Sequence, residues 1–229
     1  MQNVIKSTLI LAMVALTTSL ILSHLYKITY PSIIKQEKQK EKDAISIVLK
    51  GYSIIEKKSA LINGKKFVYQ IGEKKKNNNI LKGYAFIGEK NGYSGLIKTM
   101  IGIDEDGKIL GISILQQSET PGLGARSIEI ASKLTFFGFL FGTTSIEKEP
   151  LTPWFQEQFK EIDTKGEIKI LKKGDWKPEF KEELLQKNAI SAITGATITT
   201  KTVRDSIKIG LNRFILAQQQ LNINGKEKE

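Results

Sequence analysis

The spacing of apolar positions changes character along this chain, and each change marks an element. From Ser7 to Tyr26 the sequence reads "STLILAMVALTTSLILSHLY", with no formal charge when His24 is neutral. At about 1.5 Å per residue such a run makes a helix of roughly 30 Å, one hydrocarbon thickness. It is longer than a signal-peptide core and lacks a small-x-small cleavage site before the charges begin. The pattern therefore predicts an uncleaved single-span anchor over 7–26 behind a short flank, 1–6, with a long signal peptide as the alternative. Next, Ile33, Ile34, Ile45, Val48 and Leu49 punctuate a stretch rich in Lys and Glu. Pro31 suits the first turn of a new helix and Gly51 suits its end, so 27–51 reads as a polar stalk.

Shorter β-rich runs follow: "YSIIE" (52–56), "KFVYQIG" (66–72) and "GYAFIGE" (83–89), separated by Asn63-Gly64 and the polar "KKKNNN" (74–79). They read as consecutive strands. "GLIKTMIGID" and "KILGISILQQS" flank Glu105-Asp106-Gly107 and predict a hairpin. Helical spacing then takes over. Trp154, Phe155, Phe159 and Ile162 predict a helix over 153–162, and "KPEFKEELLQKNA" a short one over 177–189. Val203, Ile207, Leu211, Ile215 and Leu221 form one stripe of a helix over 200–221. Strands first and helices later indicate an α+β fold, a mostly antiparallel sheet with flanking helices. The anchor is thus followed by one domain over 52–221 and a disordered tail over 222–229.

Composition narrows the chemistry. There is no cysteine, which excludes disulfides, thiolate metal sites and cysteine nucleophiles. The single histidine lies in the apolar run, so a Ser-His-Asp triad or His-rich metal site in the soluble part is also excluded. The net charge of +11 raises nucleic acid as a partner, but Arg126, Arg204 and Arg213 are the only arginines. The lysines alternate with glutamates, as in "KQEKQKEKD" (35–43), which is the pattern of a solvated face. No nucleic-acid partner is expected. Such a surface instead favours anionic headgroups or acidic redox partners. Counting charges beside the anchor (Lys6 before it, Lys27 and Lys35 after it) would keep the domain inside, but long domains cross regardless of charge, which leaves the topology open.

Two stretches carry candidate chemistry. "SAITGATITT" (191–200) stands at the start of the last helix. Helix starts expose unpaired N–H groups and favour anions. Gly195 permits close approach, and Thr197 presents a hydroxyl where a phosphate would be hydrogen-bonded or esterified. The alternative is an ordinary start in which Thr199 or Thr200 is the N-cap. No P-loop pattern is present. "SETPGLGAR" (118–126) places Pro121, Gly122 and Gly124 in a turn after a strand, with Glu119 and Thr120 at its edge. Such a turn can bring backbone amides to a ligand, or it is only a turn. Glu147 and Glu149 read as surface residues, and Trp154 as core.

Taken together, the anchor, "GYSG" (92–95), "DEDGKI" (104–109), "ETPGLG" (119–124) and "TGAT" (194–197) before a last helix resemble the FMN-binding domain family. Its best-known members are the G subunit of Rnf-type electron-transport complexes and the C subunit of the sodium-translocating NADH:quinone reductase. The length, and the anchor followed by "KITYPSIIKQEKQ", look more like the Rnf-type member. The resemblance implies FMN esterified through its phosphate to Thr197 by a flavin transferase that uses FAD, with Thr194, Gly195 and Ala196 completing the recognition motif. Where the family's motif usually has Asp, this chain has Ser191, which can still hydrogen-bond but carries no charge. By the same resemblance Glu119, Thr120, Gly122, Leu123 and Gly124 surround the flavin and ribityl chain, and no residue of the chain acts as a catalyst by itself. The expected role is an electron relay among other membrane subunits of an ion-translocating complex. The domain would lie on the extracytoplasmic side of a bacterial cytoplasmic membrane. A free-standing extracytoplasmic flavin carrier and an anchored scaffold without flavin are the alternatives.

Overall fold

The computed structural model describes residues 1–76, 79–130 and 152–226. Residues 1–42 and 43–229 form two compact units. The first lies within helix α1, Gln2–Val48, whose N-terminal part is long and apolar enough to cross a membrane. Its apolar side chains, among them Leu9, Leu16, Leu20 and Leu25, are exposed, as a lipid-facing surface requires. The break expected at Pro31 does not occur: α1 continues through it. An internal proline costs a helix one hydrogen bond and some crowding, and here the flanking turns carry on both sides. The helix ends where expected, with Gly51 in the left-handed region at φ 81°.

The second unit is built on an antiparallel meander in chain order: β1 (Ser53–Ile62), β2 (Lys65–Lys76), β3 (Asn79–Asn91), β4 (Leu96–Asp104) and β5 (Ile109–Gln116). Every predicted strand is present; β1, β2 and β3 run past the predicted stretches, and β4 and β5 are slightly shorter than theirs. Asn63 and Gly64 both have positive φ, as a two-residue hairpin with native twist requires. β3 and β4 alternate between two covered faces. On one, Ala85 and Met100 pack with Ala44, Ile45, Val48 and Leu49 from the end of α1. On the other, Phe86, Ile97, Ile101 and Ile103 form the main core with the last helix.

That helix, α4, spans Thr197–Lys226, so it begins three residues before the predicted start. Val203, Ile207, Phe214 and Ala217 are its buried face. Phe214 stacks on Phe86 at 4.9 Å and meets Tyr69 and Tyr84 at 5.1 Å each.

Between β5 and α4 the helices are shorter than expected. The predicted 153–162 helix is α2, Trp154–Glu157 only. Glu161 N–H bonds the Ile109 carbonyl and Ile109 N–H bonds the Ile162 carbonyl, so the start of β5 draws the chain out of the helix. The 177–189 segment is a 3₁₀ turn, Pro178–Phe180, then α3, Lys181–Gln186. Ala189 belongs instead to β7 (Ala189–Ser191), parallel to β6 (Lys169–Leu171). Glu147 and Glu149, and residues 227–229 of the expected tail, lie outside the described residues.

Candidate functional site

The segment 191–200 contains four threonines, and their surroundings separate them. Thr200 is buried; its hydroxyl accepts the Ile193 N–H at 3.0 Å and donates to the Ala196 carbonyl at 3.2 Å. Thr199 is buried and donates its hydroxyl to Glu119. Thr194 is exposed, but its N–H is held by Asp175 at 3.1 Å. Thr197 is half-buried in the first turn of α4, and among the described residues its hydroxyl has no partner. Neither Thr199 nor Thr200 is the N-cap, since both lie inside the helix. Thr200 N–H makes the first intrahelical bond, to Ala196. The N–H groups of Thr197, Ile198 and Thr199 precede that bond, and no described carbonyl or side chain takes them up. An uncommitted hydroxyl therefore stands among free amides at the positive end of a long helix.

Gly195, at φ 77°, makes the turn into this start, a conformation that strains any residue with a Cβ. A side chain there would also come within 3.0 Å of Leu123 Cδ2, which places the two predicted loops in contact. Gly124 completes that contact. It is buried, and a Cβ there would reach Glu119 Cβ at 2.7 Å and crowd the Thr199 hydroxyl.

Glu119 is 6 % exposed. One carboxylate oxygen accepts the Ser94 N–H at 3.0 Å and the other accepts the Thr199 hydroxyl. It thus ties the "GYSG" turn, the glycine loop and α4 together from within. Thr120 and Gly122 are exposed on the loop, and the Thr120 carbonyl accepts N–H bonds from Leu123 and Ala125. Leu123 (44 % exposed) and Ile198 (55 %) border the helix start with apolar surface. Ala196 is buried beneath it.

Ser191 sits elsewhere. It has no exposed surface. Its hydroxyl donates to the Gly174 carbonyl at 2.5 Å, and its backbone N–H and carbonyl are held by the Gln158 side chain at 2.6 and 3.3 Å.

The pattern of motifs gave no hint of Asp175. Its carboxylate accepts the Thr194 N–H and takes a bidentate pair from Arg126, at 2.7 and 3.3 Å. Burial pushes this carboxyl up, but the hydrogen bonds from Arg126 and Thr194 outweigh it and hold it below the usual aspartate value. One signal was present: Asp175 is the only acid between Glu167 and Glu179, in a stretch with four lysines.

These residues fit a phosphate. Free helix-start amides, an unpartnered hydroxyl, and a border of exposed Leu123 and Ile198 are what an esterified nucleotide with a flat ring would use.

Residues 92–212 match the FMN-binding domain family. The G subunit of the proton-translocating ferredoxin:NAD(+) oxidoreductase complex of Clostridium ljungdahlii is 31 % identical over 83 % of this chain and 80 % of its own. This chain belongs to the FMN-binding domain family. The matched region opens at Gly92, beside Glu119, and closes within α4, so it contains both loops of the site. The G subunit of the ion-translocating oxidoreductase complex of Aliivibrio fischeri is 27 % identical over 79 % of this chain and 93 % of its own. Among solved structures, the C subunit of the Na(+)-translocating NADH-quinone reductase from Parabacteroides distasonis superposes with a TM-score of 0.50 at 20 % identity. It covers 82 % of this chain and 96 % of that one, and at that identity it speaks for the fold of this FMN-binding domain.

Proposed function

We propose that this protein is the flavin-carrying subunit of an Rnf-type ion-translocating oxidoreductase complex, a membrane-anchored electron relay with FMN esterified to Thr197. The observation that carries the assignment is the state of the threonine hydroxyls: those of Thr199 and Thr200 are committed to Glu119 and to the Ala196 carbonyl, and that of Thr197 has no partner among the described residues. The relatives' names as G subunits of ion-translocating oxidoreductase complexes support membership of such a complex.

Attachment is a phosphoryl transfer without redox change. Thr197 Oγ bonds to the phosphorus on the flavin side of FAD, the bridging P–O bond breaks, AMP leaves, and the threonine proton passes to solvent. A flavin transferase is the partner that performs it. Bound FMN supplies one- and two-electron transfer. The chain's own residues hold and orient: the amides of 197–199 neutralise phosphate charge, Glu119 fixes the two loops, and Leu123 and Ile198 offer apolar surface to the ring. The covalent link prevents loss by dilution.

Ser191 does not favour the scaffold reading. It is sealed inside the protein and makes three hydrogen bonds there, so the missing carboxylate changes nothing on the exposed face. The test is co-expression of the full chain with a flavin transferase, followed by a denaturing gel under ultraviolet light. A fluorescent band is expected from the wild type and none from Thr197→Ala. A dark wild-type band, or a bright Thr197→Ala band, contradicts the assignment.

A further inference from the structure

The loop that presents Thr197 is laced to one neighbour at two points. Ser191 Oγ holds the Gly174 carbonyl, and the next residue, Asp175, holds the Thr194 N–H. Between these points lie only Ala192 and Ile193, both buried. Asp175 is therefore the last side-chain restraint on the chain before it turns at Gly195 and exposes Thr197. It is also a carboxylate close to a helix start that attracts anions, where its charge by itself would oppose an approaching phosphate. Arg126 answers that charge with two parallel hydrogen bonds. Arg126 is itself fixed on other sides: Nε lies 3.3 Å from Glu129, and the guanidinium lies over the Trp154 ring at 5.5 Å. It follows the glycine loop directly, so the pair also joins the two halves of the site.

We propose that Asp175 is the positioning residue for loading of Thr197, and that Arg126 is the partner that neutralises it. This inference rests on the assignment of Thr197 as the flavin-bearing residue. Asp175 acts through the Thr194 backbone, which it holds. It sets the direction of the Thr194–Thr197 turn, and misplacing a reacting group by about 1 Å can cost on the order of 10²-fold in rate. The pair is part-exposed, so its contribution to global stability is small.

The test uses the full chain, a flavin transferase and FAD, and reads the loading rate by intact mass. Asp175→Ala is expected to load at least about ten-fold more slowly. Asp175→Asn, which keeps an oxygen for the Thr194 N–H, loads faster than Asp175→Ala. Arg126→Ala leaves an uncompensated carboxylate and is also slow. The double variant Arg126→Ala/Asp175→Asn removes that charge and loads faster than Arg126→Ala, a rescue that a merely structural role would not produce. Before any loading, amide exchange at Thr194 is expected to quicken in Asp175→Ala. The melting temperature should fall by no more than about 4 °C.

If the wild type loads and Asp175→Ala keeps pace with it, the positioning role is wrong while Thr197 stands. A double variant slower than Arg126→Ala likewise overturns the neutralising role. A wild type that does not load overturns the Thr197 assignment and this inference with it.

Discussion

Thr197 and Thr199 are two residues apart, yet their hydroxyls have opposite expected effects. Thr199 donates to a carboxylate buried with it. Thr199→Ala leaves Glu119 short of a donor and should cost about 1–3 kcal/mol in chemical denaturation. Thr197→Ala removes a hydroxyl without a described partner and should change stability by less than about 0.5 kcal/mol while abolishing attachment. If the two variants proved equally destabilised, the division of labour between these threonines would be wrong. Asp175 adds a pH signature. A carboxyl held below its unfolded pKa contributes stability that is complete above the unfolded value and is lost as pH falls through the folded one. Asp205 shifts the same way: burial raises it, and its bonds to Lys90 and Arg204 prevail. The melting temperature of the wild type should therefore drop below about pH 4, and Asp175→Asn should show a shallower acid limb. An unchanged limb would mean that Asp175 is not paired in solution.

Among the elements, α4 carries both the site and the core. Phe214 is enclosed by Tyr69, Tyr84 and Phe86, so Phe214→Ala is expected to cost about 3–5 kcal/mol by denaturant titration, with less than about 1.5 kcal/mol arguing against this packing. The strands were legible because period-two alternation and the Asn63-Gly64 and Glu105–Gly107 turns act locally. The helix at 153–162 misled for a physical reason. Phe155, Phe159 and Ile162 are all buried, as a helical stripe would be. But Gln156 and Gln158 are buried too, their amides bonded to the Ser127 carbonyl and to Ser191. These bonds, and those of Glu161 and Ile162 to Ile109 in β5, join the segment to chain far away in sequence, which the local spacing does not register. β6 and β7 are three residues each, too short for any period to register. In the candidate site, the two loops that the chain pattern singled out lie in contact. The pairing of Asp175 with Arg126 and the inward turn of Glu119 were not legible, because both depend on contacts between segments far apart in sequence.

For the whole molecule, the apolar part of α1 and the absence of cysteine together allow a clean test of topology. A cysteine placed at exposed Lys172 would be the only thiol in the protein. With the domain on the extracytoplasmic side, a membrane-impermeant maleimide should label it in cells whose outer barrier is permeable. Labelling only after lysis would put the domain in the cytoplasm. Membership of a complex is tested by gentle detergent extraction through a tag on this chain, which is expected to recover other membrane subunits in fixed ratio. The attachment itself is tested most directly by the mass of the native chain and of its peptide spanning residues 191–201. The account predicts an increase equal to FMN less one water, located on Thr197. An unmodified chain from cells that contain a working flavin transferase, or the same increase on another residue, would contradict it.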